Sequence, residues 1–198
     1  MSLNTRFPAK SVAILLLASL AAPLLSGCVA AVAGGVAVGA MSANDRRTTG
    51  TQIEDQSIES KAESRISAKY GDKVAHVNVI SFNRHALLTG EVADAATKVD
   101  IEKMVRAVPN VAGVHNELTI APVSSFSDRT SDGYITSKVK ARLVDSKQVS
   151  TNHVKVVTER KIVYLMGLVS HKEGDAAASV ASTTGSVAKV ITLFEYLD

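Results

Sequence analysis

The strongest constraint on this chain is that it repeats itself. Ile58, Ser60, Lys61, Arg65, Val77, Val79, Gly90 and Val92 recur 77 positions later as Ile135, Ser137, Lys138, Arg142, Val154, Val156, Gly167 and Val169. After a one-residue deletion the offset is 76, and Val111, Val114 and Leu118 match Val187, Val190 and Phe194. A repeat of this period means two copies of one small fold. The copies span residues 53–121 and 130–198, joined by a Ser-rich linker at 122–129. With 46% hydrophobic residues the chain has enough apolar side chains for two cores.

Each copy has the same element order: helix, strand, strand, helix, strand. In the first, Ile58, Ala62, Ile66 and Tyr70 recur at four-residue steps and predict an apolar helix stripe. Val77 and Val79 alternate with polar residues, as on a half-buried strand. Asn83, Arg84 and His85 turn the chain into a return strand at 86–92. Asp94 is placed to cap a second helix whose inner face holds Val99, Ile101, Met104, Val105 and Val108, and Pro109-Asn110 ends it. Val114, Leu118 and Ile120 line a third strand. The second copy offers Ile135, Val139 and Leu143 on its first helix, strands at 154–156 and 162–169, an Ala-rich helix at about 173–184, and a last strand at 190–197. The expected class is α+β: two tandem domains, each a small mixed three-stranded sheet packed against two helices. Gly90 and Gly167, inside strands, predict a bulge or a close helix approach and require no ligand.

Ahead of the repeat, Arg6 and Lys10 are the only charges before Asp45. Residues 12–25 are uncharged and largely apolar, which is the layout of a secretory signal and shorter than the ~20 residues of a membrane-spanning helix. The run ends in Leu25-Ser26-Gly27-Cys28, which resembles a lipobox. The resemblance implies removal of the signal peptide, 1–27, and attachment of palmitate-type chains at Cys28, which is then an anchor and not a catalytic thiol. Three acyl chains exceed the two signals that stable anchoring takes. Val29 in place of an Asp after the cysteine resembles lipoproteins sent to the outer membrane. The competing reading is a single span over 12–43, against which Pro23, Gly34, Gly35 and Gly39 weigh. Residues 28–52 read as an acylated N-terminus and flexible tether, with order starting near Ile53 and Arg46-Arg47 close to anionic headgroups.

Composition closes off several classes of function. The single cysteine excludes an internal disulfide framework and any Cys-based zinc cluster. A net charge of +3, four Tyr, four Phe and no Trp make neither a strongly basic surface nor a base-stacking platform, so nucleic acid is not an expected partner. No GxGxxG after a strand, P-loop, HExxH or GxSxG occurs. His76, His85, His115, His153 and His171 lie at no metal-ligand spacing from one another, and no carboxylate pair suggests acid–base work. No metal, no cofactor and no enzymatic activity are therefore expected. Groups far apart in the chain can still converge, a matter on which spacing is silent.

The repeated element order, the strand motifs LLTGEV and YLMGLV, the segments KVKARL and NHVKVVTE, and the endings PNVAGVHNEL and SVAKVITLF resemble the BON domain. Two copies behind a lipobox resemble the dual-BON outer-membrane lipoproteins over the whole mature chain. That resemblance implies an α/β sandwich in each copy, binding of anionic phospholipid and a non-catalytic role in outer-membrane integrity. It also implies a periplasm-facing location with enrichment at the division site, and the outer-membrane assembly machinery or another envelope protein as a partner.

The two copies differ in charge. Residues 53–121 carry 8 basic and 10 acidic residues, whereas 130–198 carry 9 basic and 7 acidic. The contrast concentrates in the first helix, where Glu54, Ser57, Glu59 and Glu63 give way to Ser131, Tyr134, Thr136 and Lys140. Tyr134, Lys138 and Arg142 form a stripe beside the buried one, and with Lys140 they are the candidate phospholipid contacts. The ring suits the headgroup region and the cations suit phosphates, at about 1 kcal/mol each near an anionic surface. An anchored chain needs little more, because the second contact is effectively intramolecular. The competing reading is an ordinary solvated face.

The last strand differs too. His115, Glu117 and Thr119 of the first copy correspond to Ile191, Leu193 and Glu195, with Leu197 beyond and Phe194 and Tyr196 on the other face. A strand apolar on both faces is covered on both. Packing against the first copy is the simpler cover. A partner-protein surface at Ile191, Leu193 and Leu197 is the alternative, and it would make the chain an envelope scaffold or chaperone-like adaptor.

Overall fold

The computed structural model describes residues 45–71 and 75–198; the signal segment, Cys28 and the tether up to residue 44 lie outside the described residues. Asp45 to Asp198 form one compact unit. In the first domain, α1 (Thr49–Tyr70) precedes the hairpin β1 (Ala75–Phe82) and β2 (His85–Val92), then α2 (Ala95–Arg106), β3 (Gly113–Asn116) and β4 (Thr119–Ile120). The second repeats the order with α3 (Phe126–Ser146), β5 (Val154–Glu159), β6 (Ile162–Val169), α4 (His171–Ser182) and β7 (Lys189–Tyr196). In both, the hairpin is antiparallel and the last strand returns parallel to its second strand, giving the mixed α+β architecture.

The helices form where apolar residues recur at helical spacing. Ile58, Ala62 and Ile66 of α1 and Ile101 and Val105 of α2 pack with Val79, Leu88, Val92 and Leu118 into one core. Ile135, Val139 and Leu143 of α3 and Ala177 and Ala181 of α4 pack with Val156, Val163 and Leu165 into its counterpart. Val99 is 51% exposed, not internal, because the α2 stripe runs through Thr97, Ile101 and Val105 and leaves it two residues out of phase. Ile120 is likewise exposed. The third strand of this domain breaks between β3 and β4, where Leu118 turns into the core and its N–H meets the Asn116 side-chain oxygen at 3.3 Å.

Several boundaries move because polar caps decide them. Thr48 caps α1, so the helix begins at Thr49, inside the stretch read as tether up to residue 52. Ser125 and Asp128 form a reciprocal capping box that starts α3 at Phe126, inside the expected linker 122–129. Ser170 and Glu173 do the same for α4, two residues ahead of its expected start. Asp94 caps α2 as expected. Arg46 and Arg47 are not available to headgroups as the tether reading placed them. Arg46 reaches Glu173 at 2.7 Å and the Leu168 carbonyl at 2.9 Å, while Arg47 pairs with Asp45 and Asp55 and lies over the Phe82 ring.

Each hairpin turns on two residues with positive φ, Asn83-Arg84 and Arg160-Lys161, none of them glycine. Such a turn is strained for side-chain-bearing residues. A buried aspartate from the first helix holds it in each copy. Asp55 accepts the Asn83 and Arg84 N–H groups at 2.9 and 2.7 Å, and Asp132 accepts those of Arg160 and Lys161 at 2.8 and 2.9 Å. The glycine expectation is also refined. A Cβ on Gly90 would stand 2.0 Å from the His76 carbonyl oxygen and one on Gly167 2.4 Å from that of His153, so the close neighbour is the adjoining strand and not a helix.

Alternation along the strands leaves a second apolar face on each sheet, and these faces pack on each other. Phe82, Leu87, Tyr164 and Met166 are buried there, with Ile80, Val157, Ile162, Leu168, Ile191 and Leu193 around them. Burial of the Tyr164 ring in this layer pushes its phenol up to about 12. Lys155–Glu59 at 2.8 Å, Asn78–Glu159 at 3.0 Å and Asn83–Glu195 at 3.0 Å join the rims. The order is thus helices, sheet, sheet, helices.

Candidate functional site

The helix α3 presents an inward face, an outer arc and two flanks. Asp132, Ile135, Val139 and Leu143 point inward. At about 100° per residue, Phe126, Thr130, Tyr134, Ser137, Ala141 and Val144 fall within an arc of roughly 80° on the opposite side. All six are exposed, Phe126 at 79%, Tyr134 at 67% and Val144 at 59%. The arc carries no charge. Its two aliphatic hydroxyls bond back onto the helix, Thr130 to the Phe126 carbonyl at 2.9 Å and Ser137 to the Gly133 carbonyl at 3.0 Å, which lowers their demand for water. The Ser125 hydroxyl and N–H hold the Asp128 carboxyl below its ordinary value at the start of this helix.

The cations flank that arc. Lys138 lies 5.5 Å above the Tyr134 ring and donates to the Gly185 carbonyl at 3.0 Å. Arg142 sits further round, where its guanidinium meets the Val180 carbonyl at 3.0 Å and the Thr184 and Thr183 hydroxyls at 2.8 and 3.1 Å. It thereby closes the C-terminal end of α4, where a cation also complements the helix dipole. The structure therefore brings Tyr134, Lys138 and Arg142 to one flank and sets exposed Lys140 on the other. Phe126 and Val144 join the surface although the sequence reading omitted them. Placing Phe126 in a linker hid its helical phase, yet Ser125 three residues before Asp128 was a legible start signal.

Of the candidate partner surface, Ile191 and Leu193 are partly buried against the facing sheet, whereas Leu197 is 59% exposed beyond the end of β7. Three groups far apart in the chain converge. His76 has no ligand-like neighbour along the chain, yet one donor atom each of His76, Glu91 and Glu159 lies within 4.8 Å of the other two. Among the described residues no helix is long and apolar enough to cross a membrane.

The family model of the BON domain matches residues 54–122 and 131–198. The chain is similar to "Outer membrane lipoprotein DolP" of Haemophilus influenzae, 40% identical over 98% of this chain and 100% of the relative. It is similar to "21 kDa hemolysin" of Actinobacillus pleuropneumoniae, 29% identical over 77% of this chain and 79% of that one. "Osmotically-inducible protein Y" of Escherichia coli is 28% identical over 71% and 72% respectively.

Proposed function

The chain belongs to the BON-domain family, with two such domains in tandem, and from that premise we propose that it is a lipid-anchored protein of the outer membrane whose second domain docks on anionic phospholipid through α3. The anchor is Cys28, and the domains face the periplasm. The observation that carries the docking is the uncharged arc of α3 with Tyr134 and Phe126 exposed and Lys138 and Lys140 on its two flanks. Apolar and aromatic groups enter the headgroup boundary, and the flanking cations meet phosphates without being buried. Arg142 contributes charge to one flank while holding α4. The work of such a contact is to keep the two-domain body against the bilayer, in support of envelope integrity and without catalysis.

Vesicle flotation with the unit from Asp45 to Asp198 tests the reading. Recovery is expected with phosphatidylglycerol vesicles at low salt and not with purely zwitterionic ones. Equal recovery from both would remove the lipid contact. A second reading, an adaptor that binds another envelope protein, rests on exposed Tyr196 and Leu197 at the end of the edge strand β7. Photo-crosslinking from position 197 in cells, giving a discrete adduct whatever the lipid composition, would favour it.

A further inference from the structure

The inter-sheet layer is apolar at its centre and densely polar at one end. There Glu91 is fully buried and Glu159 nearly so, and their carboxylates come from different domains. Strand register sets His76 directly opposite Glu91, with Nδ1 3.1 Å from a Glu91 oxygen. Asn78 donates to Glu159 at 3.0 Å, and the Ser124 N–H donates to Glu91 at 3.1 Å. Arg160 approaches Glu91 at 3.4 Å from the rim, with its side chain 46% exposed. A second observation is independent of the acids. Thr89 is 0% exposed and its hydroxyl has no hydrogen-bond partner among the described residues. Alternation along β2 puts it on the face of Leu87 and Glu91, and register puts it opposite Asn78. An orphaned buried hydroxyl beside two buried carboxylates marks a place where a polar species is missing.

We propose that His76, Glu91 and Glu159 form a divalent transition-metal site of the zinc class that clips the two domains together. Their donor atoms lie within 4.8 Å of one another, so a central ion would stand at most about 2.8 Å from each. Side-chain shifts of under about 1 Å then reach the ~2.0–2.2 Å of zinc–nitrogen and zinc–oxygen bonds. One imidazole and two carboxylates suit zinc better than magnesium or calcium, which prefer all-oxygen shells. The two carboxylates cancel the charge of the ion, and Arg160, at the rim, is free to turn to solvent. A water on the fourth position can bond the Thr89 hydroxyl. The ligands stand on strands, which fix them better than loops do.

The test uses the full-length acylated chain in detergent, stripped with a chelator and titrated with Zn²⁺ against a chromophoric competitor, with Co²⁺ as an optical probe. One equivalent of Zn²⁺ is expected, with a rise in Tm on loading. His76→Gln and Glu159→Gln should each weaken binding at least about tenfold, since even outer-shell changes cost that much, and should abolish the rise. Less than one retained equivalent in the wild type overturns the proposal, whatever the variants do. So does Zn²⁺ binding unchanged in both variants, which would place the ion on other groups. Lys172→Ala, remote from the cluster, controls for nonspecific loss and should bind as the wild type does.

Discussion

The first helices of the two domains share their inner face and diverge on their outer one. Along α1 the outward arc reads Ile53, Ser57, Ser60, Ser64 and Ser67, all exposed but the half-buried Ser57; along α3 the aligned positions are Thr130, Tyr134, Ser137, Ala141 and Val144. The flanks diverge as well. Glu63 becomes Lys140, and Glu59, which binds Lys155 and the Ser81 N–H across and within domains, becomes Thr136. What stays is structural: Arg65 reaches the Met104 carbonyl as Arg142 reaches that of Val180. The duplication keeps the hairpin aspartates, the strand glycines and the arginine that reaches the second helix, and it varies the outer face of the first helix most, so the copy with the aromatic, lysine-flanked arc is the one to test for a surface role.

The largest expected difference between the copies lies in the hairpin aspartates. Asp55 also pairs with Arg47 and the Ser81 hydroxyl, whereas among the described residues Asp132 holds only the turn N–H groups. Asp55→Ala should cost about 3–5 kcal/mol, because it removes the acceptor of the Ser81 hydroxyl and one of the two carboxylates that pair with Arg47, besides that of the two turn N–H groups. Asp132→Ala should cost about 2–3 kcal/mol. Urea unfolding measures both, and equal losses would break the comparison. The strand glycines come next. Gly90 has φ of +113° and the tighter neighbour, so Gly90→Ala combines strain with a clash at about 3 kcal/mol. Gly167→Ala has the clash without positive φ and should cost about 1–3 kcal/mol by thermal unfolding.

A smaller effect concerns the lysines. Lys138→Glu should lower affinity for anionic vesicles about fivefold or more, the equivalent of about 1 kcal/mol. The aligned Lys61→Glu should leave it unchanged. A matching loss at Lys61 would mean that overall charge, and not α3, governs binding. The smallest effect sits at the caps of the second helices. The Arg46 hydrogen bond holds the Glu173 carboxyl at about 2, against an ordinary 4.5, and the Thr97 N–H holds Asp94 below its ordinary value. Both are lowered by folding, so both stabilise above the ordinary carboxylate range and lose that contribution as pH falls, for Glu173 through about 2. Arg46→Gln should move the Glu173 midpoint upward and leave that of Asp94 in place, as read by carboxyl NMR titration.

The element order and both helix-covered cores were legible because they rest on four-residue steps and strand alternation within one copy. Ile58, Ala62 and Ile66 announce their burial locally. Phe126 was missed because a Ser-rich stretch reads as linker until the Ser125–Asp128 cap is noticed. Arg46 read as a tether charge because Glu173, which holds it, is far away in sequence; Arg47 did so although Asp45 and Asp55 are close by, because the Thr48 cap that starts α1 lies inside the expected tether. Asp55 and Asp132 lie at the same 77-residue offset as the apolar matches, so their shared role was readable and passed over. The convergence of His76, Glu91 and Glu159 had no local signal at all, since it exists only once two sheets meet.

That meeting of sheets also governs how the molecule fails. A cut in the segment between the domains would leave each half with an oily plane, Phe82 and Leu87 on one and Tyr164 and Met166 on the other, each suited to adhere to any similar plane nearby. Neither half makes a clean independent module.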